Sequence, residues 1–149
     1  MLNPLINRTP SHLKVEDQQE NCLKHKSISM QLEDNCVTIH PYFKVPDGNL
    51  IEFKQLCNVF IEKTKTEKGC LYYGFSFSEE EAHCREGYAN AEGLLQHLEN
   101  ISEQFQEVLK IAELTRLEIH GPEAEISKLR KPLQGFKPTY FILDSGFRR

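Results

Sequence analysis

Residues 70–98 read CLYYGFSFSEEEAHCREGYANAEGLLQHL, and this stretch decides the fold. Residues 70–77 are rich in aromatic side chains and alternate in polarity, which predicts a half-buried β-strand. The polar run at 78–81 predicts a turn and residues 82–89 predict a second strand, so the pair forms a β-hairpin. Asn90 is typical of a helix N-cap. The stretch therefore predicts two paired strands that lead directly into a helix.

The predicted helix after Asn90 carries one apolar face. Residues 115–120 predict a further strand, which is closed by a Gly-Pro pair. A short helix at 123–130 and a last strand at 139–143 follow. The apolar face of the long helix has spacings of three and four residues, with a restart at Ser102; its members are Leu94, Leu95, Leu98, Ile101, Phe105, Val108, Leu109 and Ala112.

Upstream of the hairpin, residues 37–43 alternate as a half-buried strand. The Pro-Asp-Gly run at 46–48 predicts a turn in which Asp47 caps a helix. Apolar residues at spacings of three and four from Leu50 to Ile61 predict that this helix is amphipathic, and we expect it to end near Gly69. The element order is then β-α-β-β-α-β, the ferredoxin-like arrangement of α+β proteins. It predicts a four-stranded antiparallel sheet in the order 4-1-3-2 with both helices on one face.

The face of this sheet opposite the helices is polar but contains aromatic side chains, which favours packing against a second copy over exposure to solvent. We therefore predict a homodimer. Three histidines fall on neighbouring strands of this face, so a metal site is conceivable, but we expect neutral histidines in a polar dimer interior and no metal. The predicted face consists of Thr38, His40, Tyr42, Tyr72, Ser76, His83, Arg85, Arg116, Glu118 and His120.

The 149 residues, of which 39% are hydrophobic and 27% charged, fit one soluble globular domain. We place this domain at residues 36–149, with a C-terminal extension from about residue 122. Residues 1–35 lack aromatic residues and periodicity, which predicts a flexible N-terminal extension. A net charge of -4 with scattered Lys and Arg argues against nucleic acid as a partner. No apolar stretch approaches the roughly 20 residues of a membrane helix, so we expect no membrane partner.

The five cysteines stand at least 13 residues apart, so the sequence contains neither a zinc ribbon nor a CxxC redox motif. Their odd number and the lack of an apolar leader near Met1 predict a cytoplasmic protein. The motifs GxGxxG, GxxxxGK(S/T), HExxH and GxSxG are also absent. Nucleotide binding, metalloprotease and serine hydrolase chemistry therefore lose their usual support.

Glu86 and His97 are the candidates for chemistry. Glu86 lies near the end of the third predicted strand, and His97 lies two helical turns beyond Asn90, so the imidazole can reach back toward Glu86. A carboxylate beneath a helix is unfavourable unless paired, and a nearby imidazole would hold it ionised and gain basicity from it. The two would act as a base, His97, and its orienter. The opposite interpretation, a solvated Glu86 and a boundary His97, stays open.

The same residues carry a family resemblance. A strand that ends in Glu86-x-Tyr88, the helix start Asn-Ala-Glu-Gly-Leu-Leu at 90–95, and His97 resemble the antibiotic biosynthesis monooxygenase family, as does the Gly-x-x-x-Tyr entry at 69–73. The resemblance implies a dimeric α+β barrel of ferredoxin-like topology. It also implies catalytic roles for His97 and Glu86 and a substrate-binding role for Tyr88.

The resemblance covers residues 36–121, and two departures from the family pattern limit what it implies. The sequence has no Trp, which argues against haem cleavage. The residues after Gly121 have no counterpart in the family pattern.

The resemblance implies a cofactor-independent monooxygenase that oxidises a small quinol-like or phenolic aromatic with dioxygen. His97 would remove a phenolic or enolic proton, because the anion can pass an electron to dioxygen. The alternative is a non-catalytic dimeric module that binds a small apolar ligand or serves as an interaction scaffold. An enzyme needs Glu86 and His97 within hydrogen-bond reach at a cavity, whereas a scaffold would fill that space with side chains. Aromatic residues that would line the cavity, and that core packing alone would equally explain, are Phe53, Phe60, Tyr73, Phe75 and Tyr88.

Overall fold

The computed structural model describes residues 34–149, so the predicted N-terminal extension falls, except for its last two residues, outside the described residues. Five strands, four helices and two 3₁₀ turns follow one another along the described chain. The strands are β1 (Val37–Lys44), β2 (Cys70–Ser78), β3 (Glu81–Tyr88), β4 (Glu113–Gly121) and β5 (Thr139–Ile142). The helices are α1 (Leu50–Thr64), α2 (Ala91–Asn100), α3 (Ser102–Ile111) and α4 (Glu123–Leu133), and two 3₁₀ turns lie at Asp47–Asn49 and Gln134–Phe136.

The sheet has the strand order β2-β3-β1-β4-β5. Its first four strands pair antiparallel in the predicted 4-1-3-2 order, which confirms the ferredoxin-like α+β fold. The fifth strand adds to the edge beside β4 and runs parallel to it, with Ile119 opposite Tyr140. A parallel neighbour needs a crossover connection, and α4 supplies it. The segment after Gly121 thus belongs to the same sheet.

The start and the end of α1 differ from the prediction. Asp47 does not cap the helix, because it lies inside a 3₁₀ turn and its side chain makes no capping hydrogen bond. The side chain of Asn49, directly before α1, donates to the carbonyl oxygen of Ile111 over 2.7 Å instead of capping. The helix ends at Thr64, five residues before the predicted Gly69, since the polar residues that follow form turns. This shorter helix releases residues 65–69 to act as a loop.

The predicted N-cap at Asn90 is confirmed. Its side chain accepts a hydrogen bond from the backbone N–H of Gly93 over 2.9 Å, which satisfies one of the free donors in the first turn of α2. The predicted restart at Ser102 is also confirmed, because the helix breaks at Ile101 and α3 begins at the next residue. Ile101 is buried, so the break lies over the core rather than in solvent.

The core consists of two clusters on the helix-facing side of the sheet. One packs α2 and α4 against the middle of the sheet, around Val37, Tyr88 and Ile126. The other packs α1 and α3 against β1 and β3, around Phe43 and Phe53. No helix within residues 34–149 has both the length and the apolar character to cross a membrane.

Candidate active site

The structure brings Glu86 and His97 together beneath α2. Glu86 projects from β3 toward the helices and is 4% exposed, and His97 projects down from α2 and is 1% exposed. The Nε2 atom of His97 lies 3.3 Å from Oε2 of Glu86. The seven-residue spacing from Asn90 places the imidazole above β3, because two turns of helix return a side chain to the same face. The two residues predicted as a catalytic pair are therefore neighbours in a buried location.

Glu67 completes a row of three groups. This residue lies in the loop that the early end of α1 creates, and its carboxylate accepts a hydrogen bond from Nδ1–H of His97, with Nδ1 2.9 Å from Oε2. The amide of Asn100 donates to the other carboxylate oxygen, Oε1, over 2.6 Å. A carboxylate on Nδ1 fixes the tautomer of a neutral imidazole, so the lone pair of Nε2 faces Glu86. The sequence analysis missed Glu67, since its only signal was an acidic residue in a polar turn.

Tyr88 lies behind Glu86. Its hydroxyl donates to Oε2 of Glu86 over 2.6 Å, and its ring is fully buried in the core cluster around Val37. It does not belong to the cavity wall, where the sequence analysis placed it. Both side chains point toward the helices, because residues two apart share a face of the strand. Tyr88 is the last residue of β3, however, and packs in the cluster with α2 and α4 rather than beside the cavity.

The protonation of the pair follows from its burial. Burial raises the pKa of Glu86 to about 8, although the hydrogen bonds from Tyr88 and Cys84 oppose the shift. Burial also lowers the pKa of His97, against the opposing effect of Glu67. Both shifts favour the uncharged forms at neutral pH. The site therefore holds a protonated carboxyl, not the ionised orienter that the sequence predicted for Glu86, beside an imidazole that can accept a proton and that Glu67 orients.

A cavity of about 330 Å³ opens directly beside the pair. Glu86 and His97 stand among mostly apolar side chains of β1–β4 and the helices above them. Burial also raises the pKa values of Tyr73 and Cys84, which keeps both groups neutral. Glu86 and His97 are then the acid and base of the buried part of the cavity, since the other carboxyl of the wall, on Glu99, is exposed. The aromatic residues that the sequence analysis proposed as walls do line it, apart from Tyr88: Phe53, Phe60, Tyr73 and Phe75.

Two glycines let the loop that carries Glu67 approach α2. A β-carbon on Gly69 would meet the α-carbon of Gly93 at 3.0 Å, which is closer than ordinary contact between carbon atoms. Gly69 also accepts the backbone N–H of Ala89 over 2.9 Å, which ties the loop to the end of β3. The close backbone approach therefore sets the distance between Glu67 and His97.

Replacing Gly69 by alanine should lower the free energy of unfolding by about 1–3 kcal/mol, because a β-carbon would push against helix backbone. Chemical denaturation would measure this loss. The matched control is Gly48→Ala, where a β-carbon meets no atom within 4 Å. Equal stability of the two variants would contradict the close approach.

The three histidines of the opposite sheet face also converge. Nδ1 of His40 lies 3.2 Å from Nε2 of His83, and the ring centroids of His40 and His120 are 5.1 Å apart. His83 stacks on Tyr42, and the guanidinium carbon of Arg116 lies 3.8 Å from the centroid of the Tyr42 ring. Within residues 34–149, no group of three or more His, Cys, Asp or Glu side chains has an arrangement that could hold a metal ion.

Comparison with known proteins finds solved structures that are similar to this chain. MupZ from Pseudomonas fluorescens, known from a crystal structure, is 49% identical, with a TM-score of 0.76 over 78% of this chain and 96% of MupZ. A candidate antibiotic biosynthesis monooxygenase from Caulobacter crescentus is 20% identical, with a TM-score of 0.51 over 58% of this chain and 86% of its own. A Bacteroides thetaiotaomicron protein of unknown function, described as a possible oxidoreductase, is 19% identical, with a TM-score of 0.54 over 58% of this chain and 96% of its own.

The two more distant structures show the fold alone. MupZ matches a larger share of this chain than either of them, 78% against 58%. No family model matches the sequence. No curated protein matches it either.

Proposed function

Because the chain belongs to the antibiotic biosynthesis monooxygenase superfamily, in the family that includes MupZ, we propose that it is an enzyme that oxidises a small phenolic or quinol-like molecule with dioxygen and without a cofactor. The observation that carries the proposal is the buried Glu86–His97 pair beside an apolar cavity. A site of this kind supplies a base, an acid and a dry space for the ligand.

Removal of the ligand's hydroxyl proton is the first step of the proposed reaction. Nε2 of His97 accepts this proton, and the carboxylate of Glu67 stabilises the imidazolium through Nδ1–H. The negative charge moves into the aromatic ring, which makes the anion a one-electron donor to dioxygen. The apolar wall excludes water, which would otherwise stabilise the anion and slow the electron transfer.

Oxygen transfer completes the reaction with atoms and electrons in balance. The ligand radical and superoxide combine, so that a carbon–oxygen bond forms at an unsubstituted ring carbon next to the hydroxyl. The hydrogen on that carbon then leaves as a proton while the O–O bond breaks. The ring gains a carbonyl oxygen and is oxidised to a quinone, and the second oxygen leaves as water. Glu86 is the proton donor to this leaving oxygen, for which its protonated form at neutral pH suits it.

A second candidate function is supported by the same protonated carboxyl. An acid beside a base in an apolar cavity can move a proton within a ligand, as in keto–enol or double-bond isomerisation, without any oxygen. The non-catalytic module that the sequence left open would have no use for the buried pair. Its scaffold form also predicts filled space where the cavity lies, whereas its ligand-binding form predicts a cavity.

Oxygen uptake tests these candidates directly. The purified chain is incubated with a panel of phenols and hydroquinones, with air and without it, and both oxygen consumption and product are followed. The oxygenase proposal expects product formation that requires air and consumes one dioxygen per product. Product that forms equally without air would replace it with the isomerase, and no product from any compound in either condition would support the binding module.

We also propose that the chain forms a homodimer through the sheet face that lacks helices. On that face, Tyr72 is 40% exposed to solvent and Phe141 is 45% exposed. It also carries cations and an anion, since Arg116 pairs with Glu118 through Nε and Oε1 at 3.3 Å. A two-fold axis would place positive groups of one chain opposite negative groups of the other.

Acid should dissociate this dimer. The pKa values of His40 and His83 are lowered, mainly by burial and, for His40, also by its histidine neighbours; Glu118 opposes both shifts. Pairing would bury these rings further, so a free chain would bind more protons than a paired one, and association weakens as the pH falls below about 6.5. Uptake of one proton per chain would raise the dissociation constant by up to about 100-fold per pH unit.

Light scattering on a sizing column at about pH 7.5 and about pH 5 measures this effect. The expected masses are twice 17.3 kDa at the higher pH and 17.3 kDa at the lower. The His40→Asn variant, which cannot take up the proton, should stay paired to a lower pH. A single chain at every pH would contradict the dimer.

A further inference from the structure

The exposed side chains of the cavity wall cluster at one end. Glu86 and His97 are buried, so the cavity reaches solvent away from the pair. The mouth lies between α3 and the 3₁₀ turn Gln134–Phe136. The exposed wall residues all come from α2, α3 or the segment after β4: Glu99, Ser102, Gln106, Pro132 and Phe136.

Two phenylalanines contact each other at this end of the cavity. Phe105 on α3 and Phe136 in the 3₁₀ turn make an edge-to-face contact with ring centroids 5.7 Å apart. Both rings line the cavity, and Phe136 is 45% exposed. An aromatic side chain that is half in solvent and half in a cavity wall gains contact area when an apolar ligand extends past it. We call Phe105 and Phe136 the mouth pair.

The segment after Gly121 holds Phe136 in place from both sides. Before it, α4 inserts Ile126 and Leu129 into the core, and Glu125 accepts the backbone N–H of Ala91 over 2.8 Å. After it, β5 pairs with β4. Lys137 connects the two parts in a left-handed conformation at φ 49°, which turns the chain sharply after Phe136. Neither anchor involves the mouth pair, so a change of Phe136 leaves both intact.

The volume of the cavity exceeds what one aromatic ring needs. An apolar cavity of about 150 Å³ is enough to bind benzene. The cavity here has about 330 Å³. If the reacting ring lies against Glu86 and His97, the remaining space runs toward the mouth pair. This space is apolar until the mouth itself, where Ser102 and Gln106 stand.

We propose that the segment after Gly121 is the specificity element of this enzyme, with Phe136 and Phe105 contacting the far part of a phenolic ligand that is larger than one ring, such as a phenol with an alkyl chain of several carbons. The inference rests on the proposed function for the orientation of the ring. It goes beyond that function because it assigns a ligand length and a role to a segment outside the ferredoxin-like unit.

Binding of 4-alkylphenols to the full chain tests the proposal. Affinities of a series from 4-ethylphenol to 4-heptylphenol are measured by calorimetry without oxygen, so that no turnover occurs. For the unchanged protein the dissociation constant should fall by about fourfold per added methylene. Phe136→Ala and Phe105→Ala should each weaken binding of 4-heptylphenol by about tenfold while binding of 4-ethylphenol stays within about twofold.

Phe147→Ala is the matched control, because this phenylalanine also follows Gly121 but is 81% exposed and does not line the cavity. It should change no affinity. Equal effects of Phe136→Ala on short and long probes, or no effect on either, would overturn the specificity role. A failure of the unchanged protein to bind any member of the series would overturn the ligand class. Oxygen uptake is a separate measurement, so the length dependence can hold even if the oxygenase proposal fails.

Discussion

Replacing His97 by alanine should lower kcat by about 10²–10⁴-fold, the usual contribution of a positioned base. In the proposed mechanism the imidazole is the base, and it is buried with Nδ1–H held by Glu67 and Nε2 turned toward Glu86. Without it the ligand keeps its hydroxyl proton, and the neutral ligand is a poor electron donor to dioxygen. KM should change far less, because most of the cavity wall is apolar and untouched.

Folding must be separated from catalysis in this experiment. Alanine at position 97 leaves the carboxyl groups of Glu67 and Glu86 without their shared partner, which destabilises a buried site. His97→Gln is therefore a second variant, since its amide can still donate to Glu67 but cannot act as a base. His120→Gln, on the opposite sheet face, is the control for loss of a histidine. Unchanged kcat in a folded His97→Gln protein would remove His97 from the mechanism.

Replacing Glu86 by glutamine should stabilise the protein at alkaline pH. The pKa of this carboxyl is raised from 4.5 to about 8, so the folded chain binds more protons than the unfolded chain between these values. The contribution of Glu86 to stability is therefore complete below about pH 4.5 and is lost as the pH rises toward 8 and beyond. Glutamine has no such charge, and the variant should exceed the unchanged protein by a few kcal/mol at alkaline pH.

The proton of Glu86 should also control activity, and here glutamine at this position should be harmful rather than stabilising. If Glu86 is the proton donor, kcat falls above about pH 8 in the unchanged protein, and Glu86→Gln lowers kcat by about 10²-fold at neutral pH. Glu125→Gln is the matched control, because this carboxylate is also buried but binds Lys128 and the N–H of Ala91. That variant should lose stability at neutral pH and keep kcat. A Glu86→Gln protein with an unchanged stability profile would show that Glu86 is ionised in the fold.

The sequence predicted the fold wherever local signals agree with the tertiary structure. The hairpin of β2 and β3 and the cap at Asn90 were predictable because alternation and capping act within a few residues. The end of α1 was not, since residues 65–68 are all polar and carry no local signal that separates a last helical turn from a loop. The parallel pairing of β5 with β4 was not predictable either, because it depends on contacts between residues far apart in the chain.

The sequence predicted only the part of the candidate site that follows from the geometry of α2. The spacing between Asn90 and His97 brings the imidazole over β3, so its approach to Glu86 follows from helix geometry. Glu67 acts from a loop 30 residues before His97, and no local pattern indicates such a contact. The mouth pair likewise joins α3 to a turn of the C-terminal segment. Contacts of this kind depend on packing, which a single sequence does not display.

The protonation state of Glu86 at neutral pH tests the central claim most directly. Infrared difference spectra of the unchanged protein against Glu86→Gln, recorded from neutral to alkaline pH, isolate the carboxyl group of this one residue. We expect the C=O band of a protonated carboxyl at neutral pH, which disappears with a midpoint near pH 8 as the carboxylate bands grow. Carboxylate bands already complete at neutral pH would contradict the buried acid, and with it the proposed division of labour between Glu86 and His97.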